Sequence, residues 1–184
     1  MKSNDSSLRR RNLRLAEFDY SQPGAFFVTI VTQDRKLLFG QVLDGEMVLN
    51  DTGRMVTEFW LAIPNHFSKV ELGEFMVMPN HIHGIISITN EKMTISSNVG
   101  ATHASPLPGI SNGPKPGSIG AIVGSFKSAT SKRIHEITHS RDLHLWQRNY
   151  CEHVIRNERD HQSIYDYILA NPGNWEKDDD YAQV

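Results

Sequence analysis

Apolar and polar positions along the chain change period several times, and each change marks an element. Residues 25–32 (AFFVTIVT) form a short run of aromatic and β-branched residues between Pro23-Gly24 and Gln33-Asp34, which predicts a buried strand. GQVLDGEMVLN follows, with Asp44-Gly45 between two alternating segments, the signature of a small hairpin on a tight turn. Val56, Phe59, Trp60, Ile63 and Phe67 then recur at helical spacing behind Asp51, a candidate cap, and Pro64 is expected to end or distort that helix.

Residues 74–79 (EFMVMP) and 82–89 (IHGIISIT) read as two antiparallel strands joined by a tight turn at Pro79-Asn80. Between Thr89 and Ser118, 13 of 30 residues are Gly, Pro or Ser without periodicity, which predicts a long flexible loop over 90–117. Ser118 can cap a helix carrying Ile119, Ile122, Val123, Phe126 and Ile134. Residues 146–155 (WQRNYCEHVI) read as a further strand. Asn157 can cap a last helix that stops before Pro172, because a residue preceding proline is pushed out of the helical region. The resulting order predicts an α+β, ferredoxin-like (β-α-β-β-α-β) fold. It has an antiparallel sheet with helices packed on one face, an extra hairpin and a C-terminal helix.

Composition narrows the class. At 184 residues with 39% hydrophobic and 22% charged positions, the chain is of globular type and long enough for one domain with a full core. No run approaches the length of a transmembrane helix, and no apolar segment follows the basic N-terminus as in a secretory signal, so a cytoplasmic location is expected. Cys151 is alone, which excludes an internal disulfide and a multi-thiolate metal site. The net charge of −2 looks unsuited to a nucleic-acid partner, but its distribution is uneven. Arg9, Arg10, Arg11 and Arg14 gather at one end, and Glu176, Asp178, Asp179 and Asp180 at the other. Three regions are therefore expected: a basic arm at 1–24, a catalytic domain at 25–175 and an acidic tail at 176–184.

Two local patterns carry chemistry. In MPNHIHGII, His81 and His83 stand two apart on a strand, so both imidazoles leave the same face and can clamp a metal, with Ile82, Ile85 and Ile86 expected to bury the other side. In the last helix, Tyr167 and Asn171 stand four apart and share a face, so a phenol and an amide oxygen could act as nucleophile and third metal ligand, or Tyr167 could simply pack with Ile164 and Ile168 against the sheet. Tyr165 lies on another face of that helix and Tyr150 in the strand pattern, so both read as structural. Trp146 and Trp175 can stack on bases or fill the core.

With these motifs in view, the sequence resembles the HUH single-tyrosine transposases of the IS200/IS605 type, above all those associated with repetitive extragenic palindromes. The matching stretches are DYSQPGAFFVTIVTQDRKLLFG, FMVMPNHIHGII, LWQRNYCEHVIRNERD and YDYILANPGNW, in the family's order from Arg9 to Trp175. The resemblance implies His81 and His83 as the HUH pair, Tyr167 as the nucleophile and Asn171 as the third metal-binding side chain. It also implies single-stranded or hairpin DNA as substrate and Mg²⁺ or Mn²⁺ as cofactor. Cys151 departs from the pattern, since the family often places an aromatic there. Beside such a site, Arg9, Arg10, Arg11, Arg14, Lys127 and Arg148 are candidate DNA contacts. Of monomer and homodimer, a monomer is expected, as no dimer stripe is evident.

Other readings stay in play. Histidine-triad hydrolases share the His-hydrophobic-His opening but need a third alternating histidine, where this chain has Ile85. A non-catalytic RNA- or DNA-binding module of the same plan would carry stacking aromatics on the strand that here carries histidines. A catalytically reduced, domesticated relative would keep the motifs.

Overall fold

The computed structural model describes residues 21–90, 113–139, 144–178 and 180. Its centre is β1 (Gly24–Val31), which has a partner on each side. The four-stranded sheet runs β4 (Val70–Met78), β5 (His81–Ile88), β1, β6 (Cys151–Ile155), and every pair in it is antiparallel. With α1 (Asp51–Leu61) between β1 and β4, and α3 (Ile119–Thr138) between β5 and β6, this is the expected ferredoxin-like plan. A two-stranded hairpin, β2 (Gly40–Leu43) and β3 (Glu46–Leu49), stands apart from the main sheet. Its turn residues Asp44 and Gly45 both have positive φ, at 51° and 78°, which suits a two-residue loop to the twist of the strands.

Alternation along β1 divides the sheet into two unlike faces. Phe26, Val28 and Ile30 are fully buried and join Val56 and Trp60 of α1 and Ile119, Ile122, Val123 and Phe126 of α3 in the main core. The Trp60 indole lies against β5 where that strand has Gly84; a Cβ there would come within 2.3 Å of Trp60 Cζ2. Phe75 and Phe126 enclose the same indole, with ring centroids at 5.9 and 5.4 Å. Gly84 is thus a packing requirement set by a tryptophan 24 positions earlier in the chain.

The other face of β1 shows Phe27, Thr29 and Val31, and across the ladder these meet Ile85, His83 and His81. Ile85 therefore shares the histidine side, correcting the expectation that it lies opposite. That face is crossed by α4 (Glu158–Ala170), whose Ile168 is fully buried and which packs against β4.

Local signals decide the element ends. Ser118 Oγ accepts from the Ala121 N–H at 3.3 Å and Asn157 Oδ1 from the Asp160 N–H at 2.9 Å, as expected of caps. The first helix is capped by Asn50, not Asp51: Asn50 has extended backbone and accepts from the Gly53 N–H at 2.9 Å. Asp51 is instead the first helical residue, where its charge favours the positive end of the helix dipole. The helical run is interrupted ahead of Pro64, as expected: α1 ends at Leu61, and Pro64 sits in the first turn of the short α2 (Ile63–His66), where its missing N–H costs nothing. The Pro79-Asn80 turn is confirmed, since Met78 pairs with His81.

The predicted strand at 146–155 pairs continuously only from Cys151 onward. Thr32 bridges Trp146 and Thr29 pairs with Cys151, so two residues of β1, Ile30 and Val31, face four residues, 147–150. The edge of the sheet is bulged there. Most of the expected loop, 91–112, and the arm with Arg9, Arg10, Arg11 and Arg14 lie outside the described residues. Among the described residues no helix is long and apolar enough to cross a membrane.

Candidate metal and nucleophile site

Because β5 places His81 and His83 on one face, their rings sit side by side, with centroids 4.3 Å apart and planes 62° apart. Both are almost fully buried, at 0% and 3% exposure, so neither is a surface histidine. Each is held by its Nδ1. Asn80, itself fully buried, donates through Nδ2 to the carbonyls of Arg35 (3.2 Å) and Asp180 (2.7 Å). Its oxygen, 2.9 Å from His81 Nδ1, is then the acceptor, which assigns the His81 proton to Nδ1 and leaves a lone pair on Nε2. His83 Nδ1 lies 2.9 Å from Thr29 Oγ1, its cross-strand neighbour. Both partners fix the orientation of the imidazole, and Asn80, as an acceptor, fixes the tautomer of His81 as well. Phe27 stacks on His83 at 5.4 Å, and Trp175 lies against His81 at 5.8 Å.

The last helix brings in the phenol. Tyr167 Oη is 3.1 Å from His83 Nε2 and donates toward Asp178 Oδ2 at 3.2 Å. Its ring meets Phe27 edge-on at 6.0 Å, yet the residue remains 45% exposed, so the nucleophile candidate is reachable from solvent. One turn on, Asn171 is buried and its Nδ2 donates to the same Asp178 oxygen at 2.9 Å. Asn171 Oδ1 is buried with no hydrogen-bond partner among the described residues. At its N-terminus α4 is fastened by Asn157 and by His153, whose Nε2 is 2.9 Å from Asp160 Oδ2.

Asp178 completes the cluster. Ligand atoms of His81, His83 and Asp178 all lie within 4.8 Å of one another. Burial by itself raises the Asp178 carboxyl. Hydrogen bonds with His83, Asn171 and the Asp180 N–H outweigh that and hold it below the usual carboxylate range. The Asp180 carboxylate in turn meets Arg35 Nε at 3.3 Å, tying this end of the chain to the sheet.

No family model matches the chain. A Haemophilus influenzae protein of uncharacterised function is 38% identical over 176 residues, which cover 94% of this chain and 93% of that protein. The chain belongs to the family of that protein. Among solved structures it is similar to a REP-associated tyrosine transposase bound to a REP hairpin, with a TM-score of 0.48 and 19% identity over 82% of this chain and 67% of that one. It is also similar to a candidate transposase from Deinococcus radiodurans R1, with a TM-score of 0.45 and 18% identity over 80% and 90% of the two chains. What the family's chemistry is must be argued from the side chains.

The structure brings His81, His83, Tyr167 and Asn171 into one cluster and adds residues that sequence reasoning missed. Asp178 stands among several carboxylates in the expected acidic tail, and nothing in composition distinguishes it. Asn80 reads in the sequence only as a turn residue, and Thr29 only as one position of a strand. Of the expected DNA contacts among the described residues, Arg148 is exposed. Lys127 is not presented to solvent as a free charge: its Nζ donates to the carbonyls of Gln147 (2.6 Å), Arg148 (3.1 Å) and Asn149 (3.3 Å). Trp146 is core, with Nε1 donating to Thr130 Oγ1 at 2.8 Å.

Proposed function

We propose that this chain is a metal-dependent nuclease and strand transferase acting on single-stranded or hairpin DNA, of the HUH single-tyrosine transposase type, with Tyr167 as nucleophile. The observation that carries this reading is the 3.1 Å approach of the hydroxyl of the half-exposed Tyr167 to a buried histidine that shares a ligand cluster with His81 and Asp178. A tyrosine kept merely for packing has no need to direct its hydroxyl at such a cluster.

The residues fit a divalent cation. Two imidazole nitrogens, one carboxylate oxygen and the otherwise unpartnered Asn171 oxygen form a hard-to-borderline donor set without thiolate, which suits Mg²⁺ or Mn²⁺. When bound, the ion would neutralise charge developing on the phosphoryl oxygens. The protein's own groups do the positioning. Thr29 and Asn80 hold the imidazoles, and Asp178 orients the phenol through its hydrogen bond. Tyr167 Oη attacks phosphorus, the bond to the 3′-oxygen breaks, and that oxygen leaves and is protonated to a 3′-hydroxyl. The 5′-phosphate stays on the enzyme as a phosphotyrosine diester. Attack of a 3′-hydroxyl on that diester restores the phenol and rejoins DNA, so no external energy source is needed.

The test is formation of a covalent protein–DNA adduct on labelled hairpin oligonucleotides with single-stranded flanks, in Mn²⁺ or Mg²⁺. Wild type should form the adduct and Tyr167→Phe should not. An equal yield from Tyr167→Phe would remove the nucleophile assignment. DNA binding without any adduct would instead indicate a catalytically reduced nucleic-acid-binding module.

A further inference from the structure

The edge of the sheet beside this site carries a feature that the cleavage chemistry does not use. Four residues, 147–150, face only Ile30 and Val31, so their backbone leaves the ladder between the Gln147 N–H bond to Val31 (3.0 Å) and the Thr29–Cys151 pair. Edge bulges re-aim side chains and frequently flank active sites. Here the displaced carbonyls are not left to water. Three consecutive ones, of Gln147, Arg148 and Asn149, converge on the ammonium of Lys127, which reaches them from α3 on the far face of the sheet. Burial lowers the Lys127 pKa to about 8, so the charge that holds the bulge is present at neutral pH.

The bulge lies beside the site, since Gln147 bonds to Val31 and Val31 pairs with His81. His83, Thr29 and Cys151 form a straight cross-strand row on one face, which puts Cys151 roughly 10 Å from His83 at ordinary strand spacing. Across this face α4 runs from β6, where His153 holds Asp160, to β4. Along this edge Arg148, Asn149 and Cys151 are exposed, while His153, further along β6, holds Asp160 of α4. Among the described residues Arg148 has no ion-pair partner, so a guanidinium stands at the edge across which a strand can pass.

We propose that the 147–150 bulge is a phosphate grip for the DNA strand running from Tyr167 across β6, with Arg148 touching the phosphate and the half-buried Lys127 acting as its positioning residue. The proposal rests on the DNA-cleaving reading of the site. It adds which edge the strand crosses, and it assigns Lys127 a role through its neighbour in place of direct contact. Because a phosphate contact is independent of base sequence, it can be measured without knowing the cognate palindrome.

The experiment measures anisotropy of a fluorescein-labelled hairpin oligonucleotide with single-stranded flanks, over a salt series, with the full chain carrying Tyr167→Phe to separate binding from cleavage. Arg148→Ala should weaken binding about five- to tenfold and lower the salt slope by about one. Lys127→Met should weaken it similarly, and the double variant should bind no worse than Arg148→Ala alone, because both remove one contact. A purely structural Lys127 would give losses that add. An unchanged affinity and salt slope in Arg148→Ala overturns the proposal even if Lys127→Met fails to fold. Should the oligonucleotide be cleaved normally by the chain without Tyr167→Phe while Arg148→Ala binds as wild type, only the grip fails. If no DNA binds at all, the reading of the whole site fails with it.

Discussion

His83 and Gly84 are adjacent in sequence and belong to opposite regions of the molecule. Gly84 faces α1 and α3, where the neighbours are Trp60, Phe75 and Phe126 and shape alone decides what is tolerated. His83 faces α4, where Thr29, Tyr167 and Asp178 engage its nitrogens and hydrogen bonding decides. One strand therefore supplies a close-packed wall and part of a polar, hydrogen-bonded cluster by alternation alone. The core face is general to any protein of this plan, whereas the other face carries the groups on which the proposed chemistry rests. A mutation on one face should spare the property of the other.

The largest expected effect is on the polar face. His83→Ala should reduce adduct formation by about a thousandfold or more, since groups acting as one unit lose nearly everything together, while thermal unfolding shows a folded protein. An active His83→Ala would detach the histidine from the chemistry. Next, Gly84→Ala should destabilise the fold by about 3 kcal/mol, roughly a hundredfold in the folding constant, because the new methyl meets the Trp60 ring with no space to move into. Denaturant unfolding measures this, and the fraction that remains folded should still form adduct. If Gly84→Ala proves stable yet inactive, the two faces are not independent.

A smaller effect separates Asp178 from its acidic surroundings. Asp178→Asn should weaken Mn²⁺ binding about tenfold or more, read by calorimetry, whereas Glu176→Gln should leave it unchanged. Equal affinities would return Asp178 to a hydrogen-bonding role only.

The smallest is a pH effect on stability at the half-buried Lys127 ammonium. The Lys127 pKa is lowered from 10.5 to about 8 in the folded chain, so between these values the unfolded chain holds more protons. Raising the pH through that window must then favour the folded state. Relative to Lys127→Met, wild type should gain stability from pH 8 to pH 10 and show a constant difference between pH 6 and pH 7.5. Melting temperatures of both proteins across this range check the sign.

How far the sequence could be read follows the range of the interactions involved. Strands, helices and caps at Ser118 and Asn157 are local, and so is the placement of two histidines on one face; each depends on residues within a few positions. The cap at Asn50 and the start of α2 at Pro64 were legible only to within a residue or two, because several neighbouring residues can perform the same local task. The bulge at 147–150 escaped because its residues keep a strand-like pattern while the chain opposite offers them too few partners.

By itself, then, the sequence determined the order of elements, the face shared by His81 and His83, and the helical turn that joins Tyr167 to Asn171. Tertiary structure alone decided that those two pairs meet, that Asp178 enters between them, that Asn80 sets the tautomer of His81, and that Lys127 turns inward to three carbonyls. These are contacts between residues remote in the chain. Periodicity records which side of an element a residue takes, but not which distant group arrives there to meet it.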